Sequence, residues 1–284
     1  MFTLKIESPL GLVELTHDLS NYAVVNIQGL TPPPTTINTA IAGSIDGSFF
    51  NSARVESRNI VITIILAGDI EGNRQRLYRI FPNKIPVTVY FKNKNRDVKI
   101  SGYVETIEGE IFSKQEQMQI SIICPRPYFE SVNSVSHTIG DIQPLFEFPF
   151  SIAEDNPVEI SKLSTTPIYT YDNTGEVATG AVFTFTFGGS VTGVTLTNYT
   201  TMEYIGFNAS FSAGDVLTVS TIQGQLYAKL LHNDTETNML NYLISGSTWV
   251  KLAVGENELI YTVTTGDDQD VIVSFIAPTL YGGV

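Results

Sequence analysis

Phe183-Thr184-Phe185-Thr186-Phe187 alternates apolar with polar residues at a strict period of two, the signature of a strand with one face in a core and one toward solvent. Working outward, the same period recurs in Val216-Leu-Thr-Val219, Tyr227-Ala-Lys229-Leu and Val271-Ile-Val273-Ser-Phe275, with Gly, Asn and Asp between the runs. Short strands at near-regular spacing predict sandwiches or barrels; an α/β fold would need a helical pattern after each strand. The expected fold class is all-β.

One helix interrupts the pattern. Asp69 is a candidate N-cap, Ile70, Leu77, Tyr78 and Phe81 share a face, and Pro82 ends the run, which predicts a helix near 69–81. Just before it, Ile60-Val-Ile-Thr-Ile-Ile-Leu66 is apolar on both faces. Such a strand must be covered on both sides, either as a central strand or buried between subunits, because an exposed edge of this kind aggregates. Ile62 and Ile64 are therefore candidate interface residues.

Cys124-Pro-Arg-Pro127-Tyr-Phe129 ends a strong strand, since its prolines cannot donate to a ladder. Charge changes just after it. Residues 1–135 hold 13 Lys+Arg against 13 Asp+Glu, whereas residues 136–284 hold 3 against 16 and supply the whole net charge of −13. Two domains are expected, 1–135 as a β-sandwich or split barrel carrying the helix, and 136–284 as a β-sandwich. An acidic second half repels phosphate backbones and anionic lipid, so nucleic acid and membrane are poor partners. Residues 177–202 carry no charge, but their Thr and Gly content argues against a spanning helix. The first residues lack the continuous apolar run of a secretory signal and are read as the first strand of a protein made in the cytoplasm.

Thr31-Pro32-Pro33-Pro34-Thr35 predicts a stiff extended arm on the surface, and Lys92-Asn-Lys94-Asn-Arg96 a basic turn, either of which can meet a neighbour or simply be a solvated loop. Pro32, Pro33, Pro34, Lys92, Lys94 and Arg96 join the interface candidates.

Catalytic and metal patterns are sparse. His17, His137 and His232 have no second ligand at i+2, i+3 or i+4, and no nucleophile-elbow, P-loop or dinucleotide motif occurs. Glu105, Glu108 and Glu110 raise a paired-carboxylate hydrolase, but a solvated strand face explains them. Asp267, Asp268 and Asp270 fit an acidic turn better than a Ca²⁺ loop. Trp249, the only Trp, is expected in the core, with sugar stacking as the rival reading. The lone Cys124 reads as a buried apolar residue. No enzyme activity, cofactor or metal is expected.

The order of features resembles the distal tail protein family of long-tailed bacteriophages of Gram-positive hosts. It is carried by Gln28-Gly29-Leu30-Thr-Pro32-Pro33, Asp46-Gly47, Glu56-Ser-Arg58-Asn59-Ile60, Asn73-Arg74 with Leu77-Tyr78, Ser101-Gly-Tyr-Val-Glu105 and Gln119 through Phe129. Trp249-Val-Lys-Leu252, Gly255-Glu-Asn257 and Pro278 through Val284 resemble the end of the family's galectin-like sandwich. The resemblance implies a hexameric ring in the virion's tail tip, built by the first domains. It would join the tail tube protein to a tail-associated fibre or lysin protein, with the galectin-like domains holding receptor-binding proteins. The alternative is an adsorption module whose second domain grips host cell-wall carbohydrate.

Overall fold

The computed structural model describes residues 2–15, 21–41, 43, 46–111, 115–139, 141–144, 161–164 and 168–284. The chain divides into two compact units, residues 1–133 with 280–284, and residues 134–279.

Among the described residues, the first unit is one large antiparallel sheet with one helix. Its strands are β1 (Thr3–Ser8), β2 (Gly11–Leu15), β3 (Tyr22–Gln28), β4 (Thr35–Ala40), β5 (Phe49–Val55) and β6 (Arg58–Leu66), then helix α1 (Ile70–Ile80), β7 (Pro86–Lys92), β8 (Asp97–Gly109), β9 (Gln117–Cys124) and β10 (Phe129–Ser131). The main sheet runs in the order β2-β1-β7-β8-β9-β6-β3, with antiparallel pairing along this path, and β4 and β5 form a separate two-stranded sheet. Alternate residues Ile60, Ile62, Ile64 and Leu66 of β6 join Leu4, Ile6, Val87, Val89, Ile120 and Ile122 in one core. The helix starts where expected: the Asp69 carboxylate accepts from the Gly72 N–H at 3.1 Å. Its buried stripe is Asn73, Leu77 and Ile80, spaced four and three residues apart, while Ile70 and Tyr78 of the expected face are exposed.

The second unit is a sandwich. Its elements are β11 (Ser136–Ile139), β12 (Asp141–Pro144), β13 (Ser161–Ser164), β14 (Tyr169–Asn173), β15 (Val182–Phe187), β16 (Val191–Asn198), β17 (Glu203–Phe211), β18 (Val216–Ser220), β19 (Tyr227–His232), β20 (Thr235–Asn238), β21 (Gly255–Thr265) and β22 (Val271–Ile276). One large sheet has the order β11-β22-β15-β18-β19-β20 and the facing one β14-β21-β16-β17, while β12 and β13 pair only with each other. Phe183, Phe185 and Phe187 all point inward, as their period requires, and meet Val194, Leu196, Phe207 and Phe211 from the facing sheet in a single core.

The expected second domain ran to residue 284, but the last residues return to the first unit. Strand β23 (Leu280–Tyr281) pairs with β10 through Phe129 and Glu130, and Val284 N–H donates to the Leu30 carbonyl at 3.1 Å. The physical reason is that β10 leaves its backbone open on the side away from β8, and Tyr281 and Val284 pack on the first core.

Candidate functional site

The triple proline leads into a hairpin with no core of its own. Pro32 and Pro34 are exposed, Pro33 is half-buried, and every residue of β4 and β5 except Val55 is exposed. Ile37, Ile41, Phe49 and Phe50 are 61%, 83%, 56% and 67% exposed. Cross-strand pairing puts Ile37 opposite Ala53 and Thr39 opposite Phe50, so Ile37 and Phe50 share one face and Phe49 lies on the other. The polar bonds are local: Asn38 donates to the Ser52 hydroxyl at 3.1 Å and the Thr36 hydroxyl to Glu56 at 2.5 Å. That Thr36 bond first, then the Arg54 bond, holds the Glu56 carboxyl below the usual carboxylate range. A lone two-stranded hairpin is marginally stable in water, and contiguous exposed apolar side chains mark surfaces that meet another protein.

The root of this arm is built on Arg58, a buried arginine at 1% exposure. Its Nε donates to the Pro127 carbonyl at 2.7 Å, Nη1 to the carbonyls of Thr31 at 2.7 Å and of Gly29, and Nη2 to the Gly282 carbonyl at 2.5 Å. The guanidinium also lies 4.4 Å from the Phe129 ring centre. All four hydrogen bonds end on backbone carbonyls, so one cation ties the arm's start, the end of β9's exit loop and the returning C-terminal segment. Burial lowers its pKa from the arginine value. Gly29 has φ +84°, and a Cβ there would sit 2.0 Å from the Asn59 carbonyl oxygen, so only glycine places this carbonyl on Arg58. Cys124 beside it is fully buried, and desolvation pushes its thiol up to about 12.

The remaining candidates separate. Ile62 and Ile64 are 0% exposed, paired between β9 and β3, so they hold the first unit's core and offer no surface to a neighbouring subunit. Lys92 is exposed and pairs with Asp97 across the β7–β8 turn at 2.6 Å, and Lys94 is exposed at the tip. Arg96 is no docking tip: it donates to the Gly283 carbonyl and lies 4.3 Å from the Tyr281 ring centre, gripping the returning segment. Trp249 packs half-buried against the second core. His137 contacts the Tyr169 hydroxyl at 3.0 Å and stacks on Phe275, and His232 pairs with Asp215, whereas His17 lies outside the described residues. Glu105, Glu108 and Glu110 are exposed, and Asp267 caps a single 3₁₀ turn by accepting from the Gln269 N–H at 2.9 Å. Among the described residues no group of three or more His, Cys, Asp or Glu side chains can hold a metal, and no helix is long and apolar enough to cross a membrane.

The hairpin's apolar residues and the burial of Arg58 went unread in the sequence. A signal existed for the first: Ile37, Ile41, Phe49 and Phe50 cluster around Asp46-Gly47 without the long apolar run that marks a core strand. For the second there was none beyond Arg58's place at the start of β6.

Residues 174–276 match the family model described as "Siphovirus-type tail component, C-terminal domain". Among solved structures the chain is similar to the crystal structure of SPP1 Dit (gp 19.1), described as a paradigm of hub adsorption apparatus in Gram-positive infecting phages. The TM-score is 0.69 at 14% identity, with 98% of this chain and 99% of that chain covered. It is also similar to a chain of the phage P2 baseplate in its activated conformation, with TM-scores of 0.51 and 0.54 at 11% identity in the Ca and Sr forms, covering 98% of each chain. No curated protein matches. At these identities the structural likeness speaks for the fold, and the sequence match, which falls within the second unit, ties residues 174–276 to the siphovirus-type tail component C-terminal domain.

Proposed function

We propose that this chain is the structural hub of a phage tail tip, a scaffold and not a catalyst. In this reading its first units close into a hexameric ring, and its galectin-like second units project outward. One face of the ring meets the tail tube protein and the other a tail-associated fibre or lysin protein, with receptor-binding proteins held at the periphery. The observation that carries the reading is the β4–β5 hairpin, an arm whose Ile37, Ile41, Phe49 and Phe50 stay exposed among the described residues. A ring needs a heterologous contact, one patch on each protomer reaching a different patch on the next, and a projecting arm rooted on a rigid body supplies that geometry. The stiff prolines before it and the Arg58 lock at its base fix its direction.

The test is the absolute mass of the purified full chain by light scattering across concentration and salt. A hexamer, or paired hexamers, is the expected result, and Phe49→Ser with Phe50→Ser is expected to shift it to monomer with the circular dichroism unchanged. A monomer at every concentration, or a hexamer indifferent to the hairpin substitutions, refutes this assembly.

A further inference from the structure

In the second unit the two sheets do not cover each other to the last strand. Residues opposite one another on neighbouring antiparallel strands share a face. Leu217 and Val219 of β18 face the core, so their partners Leu230 and Ala228 on β19 do too, followed by His232 and, on β20, Thr237 and Thr235. Cover fades along this inner face: Ala228 is 1% exposed, Leu230 is half-buried, and His232 and Thr237 are exposed. The overhanging hairpin and the free end of β17 enclose a groove of about 410 Å³, within the roughly 300–1,000 Å³ usual for small-molecule sites.

The lining has a definite chemistry. At one end Asp215 is 4% exposed, its Oδ1 2.5 Å from His232 Nδ1, while Oδ2 accepts the Ser212 N–H at 2.9 Å. Asn233 Nδ2 lies 3.0 Å from His232 Nε2, so the imidazole is held from both nitrogens. A carboxylate has about four acceptor sites, and these contacts leave Asp215 two in hand. Ser212 and Thr237 add hydroxyls to the lining; Leu230 and Met239 supply its apolar part; Tyr242, 47% exposed, adds an aromatic ring.

We propose that this groove binds a neutral saccharide. A pyranose ring presents a C–H face and a rim of hydroxyls, and the groove offers apolar side chains with an aromatic ring for the first and fixed acceptors and donors for the second. Neutrality follows from charge. Residues 136–284 carry 3 basic against 16 acidic residues, Asp215 lines the groove, and Lys229 points from the opposite face of β19 with Leu231, so no lysine or arginine in the lining meets a phosphate or sulfate. Trp249 has no part in it. This inference does not rest on the ring: it concerns the second unit alone and survives a failure of the hub reading.

The test is saturation-transfer NMR on the full chain with galactose, glucose, N-acetylglucosamine, N-acetylgalactosamine, rhamnose and lactose, with an unstructured neutral peptide as control. Transfer to the C–H protons of at least one sugar is expected. Tyr242→Ala is expected to weaken it by at least roughly 10-fold, and Thr237→Val, which removes one exposed hydroxyl, to weaken it measurably. Tyr227→Ala, on the outer face of the same hairpin, leaves it unchanged. No transfer to any of the sugars, transfer to the peptide alone, or equal effects of Tyr242→Ala and Tyr227→Ala overturns the proposal.

Discussion

Strand β6 and the β4–β5 hairpin are separated by only Glu56 and Ser57 and both carry large apolar side chains, yet Ile62 and Ile64 are 0% exposed while Phe49 and Phe50 are 56% and 67% exposed. Composition does not separate them; neighbours do. β6 lies between β9 and β3, with a sheet partner on each side and a core beneath it, whereas β4 and β5 pair only with each other. Apolar residues in the first setting stabilise the fold, and in the second they are left for the contact between copies proposed above.

The largest expected effect breaks the buried side. Ile62→Asp places a carboxylate in a fully covered position without a partner, which costs more than about 4 kcal/mol and is diagnostic of core disruption. The expected outcome is loss of the cooperative urea transition, or recovery of the chain only in the insoluble fraction. If Ile62→Asp stays folded with an unchanged midpoint, β6 is not the core strand described above.

Next in size is the residue where the two regions join. Arg58→Ala leaves four carbonyls without their shared donor and removes the contact with Phe129, for an expected loss of about 3 kcal/mol by denaturation. Arg58→Lys restores the charge but not the planar fork, and recovers only part of the loss. Full recovery in the lysine variant would mean that charge, and not the arrangement of carbonyls, carries the effect.

A smaller effect follows from Cys124. Its folded pKa is raised from 9.0 to about 12, so above pH 9 the unfolded chain gives up the thiol proton before the folded chain does. The unfolded state then binds fewer protons, and stability falls as pH rises from 9 toward 12, by about 1.4 kcal/mol between pH 7 and pH 10. The stability contributed by the neutral buried thiol is complete below pH 9. Buried Tyr22, Tyr171 and Tyr261, whose pKa values are raised mainly by desolvation, add a loss of the same sign. Comparing pH-dependent melts of the native chain with Cys124→Ala isolates the thiol; identical profiles would place Cys124 in contact with solvent.

The legible parts of this protein were the local ones. Phe183, Phe185 and Phe187 announce an inward face by period alone, Asp69 and Pro82 bound the helix, and the change in charge accompanies the passage between units. What stayed hidden depends on pairings distant in sequence. Arg58 is 224 positions from Gly282, and no spacing rule relates them. Arg96 and Tyr281 read as a basic turn and a terminal residue until β23 brings them together. The groove around Asp215 exists because one sheet overhangs the other, a property of strand order and not of any segment. Ile62 and Ile64 satisfied either of two readings, since burial in a core and burial between subunits demand the same side chains.

The smallest effect on the single chain is expected at the exposed side of the comparison. Phe50→Ser removes an aromatic ring that is already 67% in water, so little burial is lost on folding and the change in unfolding free energy should stay within about 0.5 kcal/mol. Its effect on assembly should be much larger, because a ring that is mostly solvated in the protomer is desolvated only when a second copy covers it, and a central aromatic commonly contributes about 2 kcal/mol or more to an interface. Measured together, a near-zero change in protomer stability and a change of at least roughly 30-fold in the concentration at which the oligomer dissociates would assign the hairpin to the interface and β6 to the core. Equal losses in both quantities would mean that Phe50 supports its own chain, and the contrast between the two regions would then be one of degree.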